Sequence, residues 1–343
     1  MPPASSGPIA MRDFTYAIAR TLNQAIATDP SHGMLIAGGT ELLNWFRLGV
    51  AAPDHVIDLA GIEELKKITI EGDVLTIGAL STLAEVGDDP EVRTHAPVLA
   101  QACLAAASPQ IRNRATLGGN VLQKTRCAYF RAEEPLPWGC NKRHAGSGCA
   151  ALNGINDRHA IFDWTEQCVA VHPSDPAVAL ASLDAEIEIA GASGRRVVPA
   201  ARFHLSQHEA AELGLDPAQA ETRLEPHEVI TGYRVPLRGG ARSAYVKVRE
   251  RASYEYALVS AAAVIELENG LIARAALALG SVAQKPWRLA EAEARIVGLP
   301  PTRDVVLPIL KRCFGDARPL ADNGYKIAMA AGAAARAIAE AAA

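Results

Sequence analysis

The stretch Met34-Leu35-Ile36-Ala37-Gly38-Gly39-Thr40-Glu41-Leu42 leads from a short apolar run into a helical pattern that continues to Arg47. An apolar strand followed by glycines, a hydroxyl residue and a helix is an arrangement that can hold a phosphate, because glycines allow close approach and successive N–H groups form an anion nest. The Walker pattern requires a lysine after its last glycine, and no lysine follows Gly39. The dinucleotide fingerprint of three spaced glycines is absent as well. Taken alone, the pattern also fits an ordinary glycine turn.

A second glycine turn, Thr116-Leu117-Gly118-Gly119-Asn120, comes shortly before the most unusual segment of the chain, residues 123–175. Prolines and glycines interrupt this segment so often that we expect no long regular element in it. A structureless segment of about fifty residues inside a compact domain is uncommon and usually functional. It contains four of the six cysteines of the chain: Cys127, Cys140, Cys149 and Cys168.

The spacing of these four cysteines favours an iron–sulfur cluster. Zinc fingers and ribbons mostly use tight cysteine pairs, whereas here twelve, eight and eighteen residues separate successive cysteines. Disulfides need an oxidising compartment, and iron–sulfur clusters accept four thiolates at varied spacings. The residues therefore rank a 4Fe–4S cluster first, zinc second and disulfides third, with unligated cysteines as the remaining alternative. His144, His159 and His172 are interpreted as polar loop residues, although a histidine in place of a cysteine would suit zinc.

Composition is that of a soluble protein with more than one domain. The chain has 343 residues, 49% of them hydrophobic, which suffices for about two or three cores. A net charge of −4 gives no reason to expect nucleic acid or an anionic membrane as partner. No apolar run is long enough to span a membrane, and Met1 to Arg20 show no signal peptide pattern. Cys103 and Cys313 lie in apolar surroundings and are interpreted as core residues.

Periodicity predicts a mixed order of elements up to residue 238. The predicted helices cover residues 14–27, 42–47, 83–86, 98–107 and 176–183. The predicted strands cover residues 34–37, 56–59, 228–236 and the hairpins 65–77 and 185–198. A polar surface insertion is predicted at 204–213.

The remainder of the chain changes character. Three strands of one antiparallel sheet are predicted at 241–248, 258–266 and 271–279, with Asn269-Gly270 as a type I′ hairpin turn. Helices are predicted at 289–297, 305–314 and 325–339. These elements indicate a separate C-terminal α+β domain.

Four motifs in this order make the chain similar to a known family. They are residues 35–42, residues 115–120, Pro173-Ser174-Asp175, and Lys247 with the arginines that follow it. In these motifs the chain resembles the FAD-binding subunit of the molybdenum hydroxylases, a family that includes the flavin domain of xanthine dehydrogenase and the medium subunit of carbon monoxide dehydrogenase. The resemblance covers nearly the whole chain.

The cysteine segment narrows the resemblance. Two branches of the family resemble this chain in carrying a four-cysteine insertion for a 4Fe–4S cluster, the 4-hydroxybenzoyl-CoA reductase branch and the bacterial periplasmic aldehyde oxidoreductase branch. Residues 126–131, 140–143 and 167–170 are most similar to the second branch.

The resemblance implies an α+β fold in three parts. The expected fold is the two-part FAD-binding fold of the vanillyl-alcohol-oxidase (PCMH) type plus a C-terminal domain of a three-stranded antiparallel sheet and helices. The expected domains are residues 1–62, residues 63–238 with the iron–sulfur insertion 123–175, and residues 239–343.

The resemblance also implies a set of binding residues. Residues 36–42 would surround the FAD pyrophosphate, and Asp175 would hydrogen-bond FAD, with a helix N-cap as its alternative role. Ile230 would contact the adenine or the ring system, or be a plain core residue. Lys247 would lie near the flavin, or be a solvated strand residue. The cofactor-binding residues implied are Ile36, Ala37, Gly38, Gly39, Thr40, Glu41, Leu42, Thr116, Gly119, Asn120, Asp175, Ile230 and Lys247, and the metal ligands implied are Cys127, Cys140, Cys149 and Cys168.

The resemblance implies electron transfer without substrate hydroxylation, and the lack of an obvious nucleophile–base set in the sequence supports this. FAD would take electrons from the 2Fe–2S clusters of a small subunit and pass them to an external acceptor, while a large subunit holds the molybdopterin. Two alternatives are a stand-alone FAD oxidoreductase and a zinc-stapled scaffold subunit. The location would be periplasmic, by co-export with a partner that carries the signal, or cytoplasmic.

Overall fold

Three β-sheets with their covering helices form residues 11–343, the part of the chain that this computed structural model describes. Residues 1–10 of the predicted first subdomain lie outside that part. The three sheets occur in sequence order along the chain, and the cleft described below is lined by elements that adjoin all of them. The fold is α+β, as predicted, and the exact domain boundaries stay a prediction.

The first sheet is parallel, in the order β1 (Thr15–Ile18), β3 (His55–Asp58), β2 (Gly33–Ile36). The helix predicted at 14–27 is wrong in its first half, because residues 15–18 pair with β3 instead. Helix α1 (Leu22–Ile26) begins only after Thr21, which forms a capping box. All four residues of β1 are exposed, so no apolar alternation marked it as a strand.

The second sheet has five antiparallel strands in the order β4-β5-β8-β6-β7. Both predicted hairpins and the predicted strand near 228–236 belong to it. Its strands are β4 (Ile68–Glu71), β5 (Val74–Gly78), β6 (Glu186–Gly191), β7 (Gly194–Pro199) and β8 (Val229–Pro236). Helix α2 (Leu42–Leu48) follows β2 of the first sheet. The helices that occur along the chain between β5 and β8 are α3 (Leu83–Asp88), α4 (Pro90–His95), α5 (Pro97–Ala105), α6 (Pro109–Arg112), α7 (Leu117–Val121), α8 (Asp175–Ser182), α9 (Ala200–Phe203) and α10 (Gln207–Glu212).

The third sheet has four antiparallel strands, so the prediction of three is wrong. The order is β12-β11-β10-β9, with β9 (Arg242–Val248), β10 (Val259–Glu268), β11 (Leu271–Gly280) and β12 (Trp287–Arg288). The fourth strand has only two residues, too few to show a period-2 pattern. Asn269 and Gly270 both have positive φ, as the predicted type I′ turn requires.

Helices cover both faces of the third sheet. Helices α5 and α8 pack on one face, and α11 (Ala290–Ile296), α12 (Arg303–Arg312) and α13 (Tyr325–Ala342) on the other. This double burial explains the nearly continuous apolar runs of β10 and β11. Within the described residues no helix has both the length and the apolar character to cross a membrane.

The cysteine segment has almost no regular structure, as predicted. Between residues 123 and 174 the described chain forms a single 3-10 turn, Ala150–Leu152, and isolated bridges such as the one joining Cys140 to Cys149. The predicted surface insertion at 204–213 is wrong in part, since residues 204–207 are buried. Gln207 donates a side-chain hydrogen bond to the Cys168 carbonyl, so this stretch supports the cysteine segment.

Candidate functional site

A cleft of about 550 Å³ lies where α2, α7, β8 and the end of β9 come together. Every residue that the sequence predicted to bind the cofactor lines this cleft, which we call the main cleft. They are Ile36, Ala37, Gly38, Gly39, Thr40, Glu41, Leu42, Thr116, Gly119, Asn120, Asp175, Ile230 and Lys247.

The glycine turn after β2 presents free backbone donors to the main cleft. In the described structure the N–H groups of residues 37–42 donate to no protein acceptor, and α2 has no side-chain cap. Gly39 has a φ of 73°, a conformation that favours glycine. At Gly38 an added Cβ would lie 1.8 Å from the Arg114 carbonyl oxygen, so only glycine lets the two turns meet. Consecutive free N–H groups make a nest that suits an anion.

The second glycine turn forms α7 rather than the plain turn that was predicted. The Thr116 hydroxyl caps this helix by accepting a hydrogen bond from the Gly119 N–H at 3.1 Å. The side chain of Asn120 accepts a hydrogen bond from Ser174 at 2.7 Å. This bond ties the turn to the start of α8, so the second and third sequence motifs lie side by side.

A buried ion pair lies at the base of the main cleft. The Lys247 ammonium is 2.8 Å from one carboxylate oxygen of Asp175, and the Tyr245 hydroxyl donates to the other at 2.6 Å. The Asp175 and Lys247 side chains are only 5% and 4% exposed. The alternative of a solvated Lys247 is therefore wrong. Asp175 does not cap α8 either, because Ser174 does.

Glu41 lines the main cleft, and its predicted position at the pyrophosphate stays a prediction, but its carboxylate already has protein partners. Its carboxylate pairs with Arg126 at 2.7 Å and with Arg131, and it accepts a hydrogen bond from the Trp45 indole at 2.8 Å. Burial disfavours the charged carboxylate, but the two arginines outweigh burial and lower the pKa of Glu41. Both arginines belong to the cysteine segment. Glu41 thus joins the main cleft to that segment.

The sequence-based prediction omitted several residues of the main cleft. Tyr254 and Tyr256 line it from the loop after β9, and the Arg126 guanidinium lies 4.5 Å from the Tyr256 ring centre. Two aromatic residues in a polar loop were the available signal. Ile230 is 4% exposed, as a core residue is, and it also lines the cleft, so its contact with the cofactor stays a prediction.

The four cysteines of the segment come together around a second, much smaller cavity of about 10 Å³. We call this site the cysteine pocket, and its lining includes Cys127, Cys140, Cys149, Cys168 and His159. All six cysteines of the chain lie in the described part, and none forms a disulfide. Within that part, no three His, Cys, Asp or Glu side chains are placed to hold a metal ion.

Ion pairs and backbone contacts hold the cysteine pocket. Arg143 donates to the carbonyls of Phe130, Ala132 and Leu48 at 2.8, 3.0 and 3.1 Å. The buried Lys142 ammonium is 2.8 Å from the Glu221 carboxylate. Charged side chains therefore hold the segment together with its buried apolar residues, such as Phe130 and Val169.

The thiols of the cysteine pocket differ in acidity. A hydrogen bond from Cys168 lowers the pKa of the Cys149 thiol to about 6. Burial raises the pKa of Cys127 to about 11. The Nε2 atom of His159 lies 3.2 Å from the Cys127 sulfur, and burial lowers the pKa of this histidine to about 4. Both His159 and His172 lie in irregular segments, as predicted, but each carries one buried ring nitrogen, Nδ1 of His159 and Nε2 of His172, that has no hydrogen-bond partner in the described part of the chain.

Two family models account for almost the whole described chain. The FAD binding domain in molybdopterin dehydrogenase matches residues 12–238, and the CO dehydrogenase flavoprotein C-terminal domain matches residues 244–341. The chain belongs to the FAD-binding medium subunits of the molybdenum hydroxylases. It is therefore a subunit of an oxidoreductase family and contains an FAD-binding domain.

Individual relatives agree with this assignment. The chain is 38% identical to the aldehyde oxidoreductase FAD-binding subunit PaoB of Escherichia coli (strain K12), over 96% of this chain and 99% of the relative. It is 28% identical to the carbon monoxide dehydrogenase medium chain of Hydrogenophaga pseudoflava, over 92% and 93% of the two chains. A solved structure of carbon monoxide dehydrogenase from that organism, lacking the Mo-pyranopterin moiety, superposes with a TM-score of 0.74 at 26% identity and covers 97% of this chain and 98% of its own.

Proposed function

We propose that this chain is the electron-transferring FAD subunit of a molybdenum-dependent aldehyde oxidoreductase. In this role it takes electrons from 2Fe–2S clusters of a small subunit and passes them to an external acceptor. One observation carries the proposal: the free N–H nest of residues 37–42 and the buried Asp175–Lys247 pair line the same cleft. The similarity to an aldehyde oxidoreductase subunit over nearly the full length supports the choice of complex.

The residues of the main cleft fit FAD. The N–H groups of residues 37–42 suit the pyrophosphate, because no protein atom uses them. Lys247 places a cation where it can stabilise a flavin that gains negative charge on reduction, and Asp175 fixes the position of that cation. FAD, when bound, supplies the redox chemistry, while the protein supplies position and electrostatics.

The cysteine pocket fits a 4Fe–4S cluster better than a single zinc ion. Four thiols face one cavity, and the acidity of Cys149 favours the thiolate form that metals require. Four thiolates on one zinc ion would stand about 3.8 Å apart, given Zn–S bonds of about 2.3 Å. No such tight group exists in the described residues. A cluster spaces its thiolates more widely than one ion does, so it is compatible with this arrangement.

The partners of this function are a large molybdopterin-binding subunit and a small 2Fe–2S subunit, in a heterotrimer. The solved relative is a carbon monoxide dehydrogenase that lacks the Mo-pyranopterin moiety of the molybdenum cofactor. The location proposed is the periplasm, reached by co-export with a signal-bearing partner. Retention of the whole complex in the cytoplasm is the other outcome that a fractionation experiment would reveal.

Two measurements on the purified chain test both cofactors. The first is an absorption spectrum before and after dithionite, and the second is an assay of FAD, iron and zinc on the same sample. We expect flavin bands above a broad shoulder that bleaches on reduction, with about four irons per FAD. Flavin with zinc or without metal would reject the cluster alone. Absence of flavin after anaerobic reconstitution would reject the electron-transfer function.

A pair of cysteine variants makes this test specific to the cysteine pocket. Cys149→Ala removes one proposed ligand and should abolish iron while FAD stays bound. Cys103→Ala is the matched control, since Cys103 is buried in the main core away from the pocket. Equal iron loss in both variants would point to general misfolding and contradict the ligand assignment.

A further inference from the structure

His159 is a buried side chain that the proposed function does not use. Its Nε2 atom lies 3.2 Å from the Cys127 sulfur, and the residue is only 7% exposed. We propose that His159 donates a hydrogen bond to the Cys127 sulfur and thereby raises the reduction potential of the cluster in the cysteine pocket. This inference rests on the proposed function, because it needs Cys127 to be a metal-bound thiolate.

The other ring nitrogen of His159 decides the direction of this hydrogen bond. Its Nδ1 atom is buried and has no partner in the described structure. A hydrogen on Nδ1 would leave an unpaired buried N–H donor, which is rare in proteins. It would also make Nε2 an acceptor, although a metal-bound Cys127 thiolate has no hydrogen to give. With the hydrogen on Nε2, only one lone pair stays unsatisfied and the contact to sulfur is favourable.

The backbone around His159 is fixed from the C-terminal domain. The His159 carbonyl accepts hydrogen bonds from the Lys326 ammonium at 2.8 Å and from the Asn323 amide at 3.1 Å. Lys326 is fully buried and also donates to the carbonyls of Arg158 and Ser281, at 3.0 and 2.7 Å. Lys326 and Asn323 are therefore positioning residues. They hold the imidazole in place before any cluster binds, so little conformational entropy is lost in making the bond to sulfur.

The expected consequence is a change in potential. Hydrogen bonds to ligand sulfur are among the factors that set iron–sulfur potentials. Such a bond stabilises the reduced cluster more than the oxidised one, because the reduced cluster carries the larger negative charge. Loss of the His159 donor should therefore lower the midpoint potential. We expect a shift of about tenfold in the ratio of oxidised to reduced cluster, or about 59 mV for one electron.

The test is a redox titration of the whole complex, followed by electron paramagnetic resonance, on the wild type and three variants. His159→Phe keeps the ring volume and removes the donor. His159→Gln keeps an amide donor near the position of Nε2. His144→Phe is the matched control, because His144 belongs to the same segment but pairs with Glu134 at 3.0 Å instead of a sulfur.

We expect His159→Phe to lower the potential, and His159→Gln and His144→Phe to stay near the wild-type value. An unchanged potential in His159→Phe, with iron retained, overturns this inference and leaves the proposed function intact. If His159→Phe loses its iron, His159→Gln decides: a wild-type potential supports the hydrogen bond, and a lowered potential or no iron overturns it. A wild-type protein without iron overturns both this inference and the proposed cluster.

Discussion

The main cleft is lined by residues at the ends of strands and short helices, whereas the cysteine pocket is lined by a segment without regular structure. The cleft takes its shape from backbone turns that close-packed sheets hold in place. The cysteine pocket is held by charged side chains such as Lys142 and Arg143, which are each only 3% exposed. One region depends on backbone geometry, the other on individual ion pairs.

This difference suggests how each region fails. A substitution that adds volume to a glycine turn should disturb the main cleft and leave the cysteine pocket intact. A substitution that removes one charge from the segment should disturb the pocket and leave the cleft intact. The Asp175–Lys247 pair is the exception in the cleft, because it is a buried ion pair like those of the segment. It therefore gives the strongest test.

Lys247→Met should have the largest effect. Removing one partner of a buried ion pair leaves the other charge uncompensated, which typically destabilises by about 3–5 kcal/mol. We expect a fall of that size in the free energy of unfolding, measured by denaturant titration of the chain without cofactors. The double variant Asp175→Asn/Lys247→Met should recover part of it. Lys311→Met, on an exposed position of α12, is the control and should change little.

If Lys247→Met were as stable as the wild type, the pair would not be buried in solution. That result would also remove the cation from the proposed flavin site. A full loss of stability without any recovery in the double variant would instead assign the effect to the packing of the lysine side chain.

Glu221→Gln is the counterpart for the cysteine segment, because Glu221 pairs with Lys142 of that segment. Burial disfavours the charged form of Glu221, but Lys142 and Lys124 outweigh it and lower its pKa to about 2. Because the folded pKa lies below the unfolded value, Glu221 stabilises the fold above about pH 4.5 and loses this contribution as the pH falls towards 2. The full contribution is on the order of 3 kcal/mol. Unfolding titrations of the cofactor-free chain at several pH values measure it.

The pH dependence distinguishes the ion pair from general acid sensitivity. Glu221→Gln should be less stable than the wild type at pH 7, and this difference should shrink between pH 4.5 and pH 2. Parallel stability curves for the two proteins would contradict the assignment. Iron content should fall in the variant, whereas FAD content should not.

Gly38→Ala should act on the main cleft alone. An added Cβ would meet the Arg114 carbonyl oxygen at 1.8 Å, so the two glycine turns must move apart. We expect the affinity for FAD to fall at least a hundredfold, or about 2.8 kcal/mol, as measured by flavin fluorescence titration. Gly239→Ala is the control, since nothing lies within 4 Å of its added Cβ and its φ is not positive.

Iron content again tests the comparison between the two regions. Gly38→Ala with normal iron content and weak FAD binding would show that the main cleft and the cysteine pocket are stabilised independently. Parallel loss of iron and FAD would mean that the turn after β2 also supports the cysteine pocket.

The sequence predicted those parts that depend on local signals. The helix predicted from residue 83 does begin there, and Thr82 caps it by accepting a hydrogen bond from the Glu85 N–H. The turn with free N–H groups at residues 37–42 and the lack of regular structure between the cysteines also follow from neighbouring residues. Glycines and prolines act on the backbone close to their own positions, so one sequence suffices to see them.

The features that the sequence did not predict depend on distant residues. Strand β1 is stabilised by pairing with β3, some forty positions later, and carries no apolar pattern of its own. The burial of His204 arises because its stretch packs against the cysteine segment. Glu41 points to Arg126 and Arg131, which stand more than eighty positions away. Polar residues that become buried partners cannot be told from solvated ones by composition.

Arg126→Lys should have the smallest effect, and it addresses the point where the two regions meet. Arg126 pairs with Glu41, donates to Gln123 at 2.7 Å and lies over the Tyr256 ring, while its neighbour in the chain is Cys127. Lysine keeps the charge but loses the second hydrogen bond and the planar contact with the ring. We expect about 1 kcal/mol, seen as a roughly fivefold weaker FAD affinity with unchanged iron content. Arg158→Lys, at an exposed ion pair, is the control and should leave both unchanged. Iron loss in Arg126→Lys would show that Arg126 stabilises both the main cleft and the cysteine pocket. The contrast between the two regions would then apply only to residues away from Arg126.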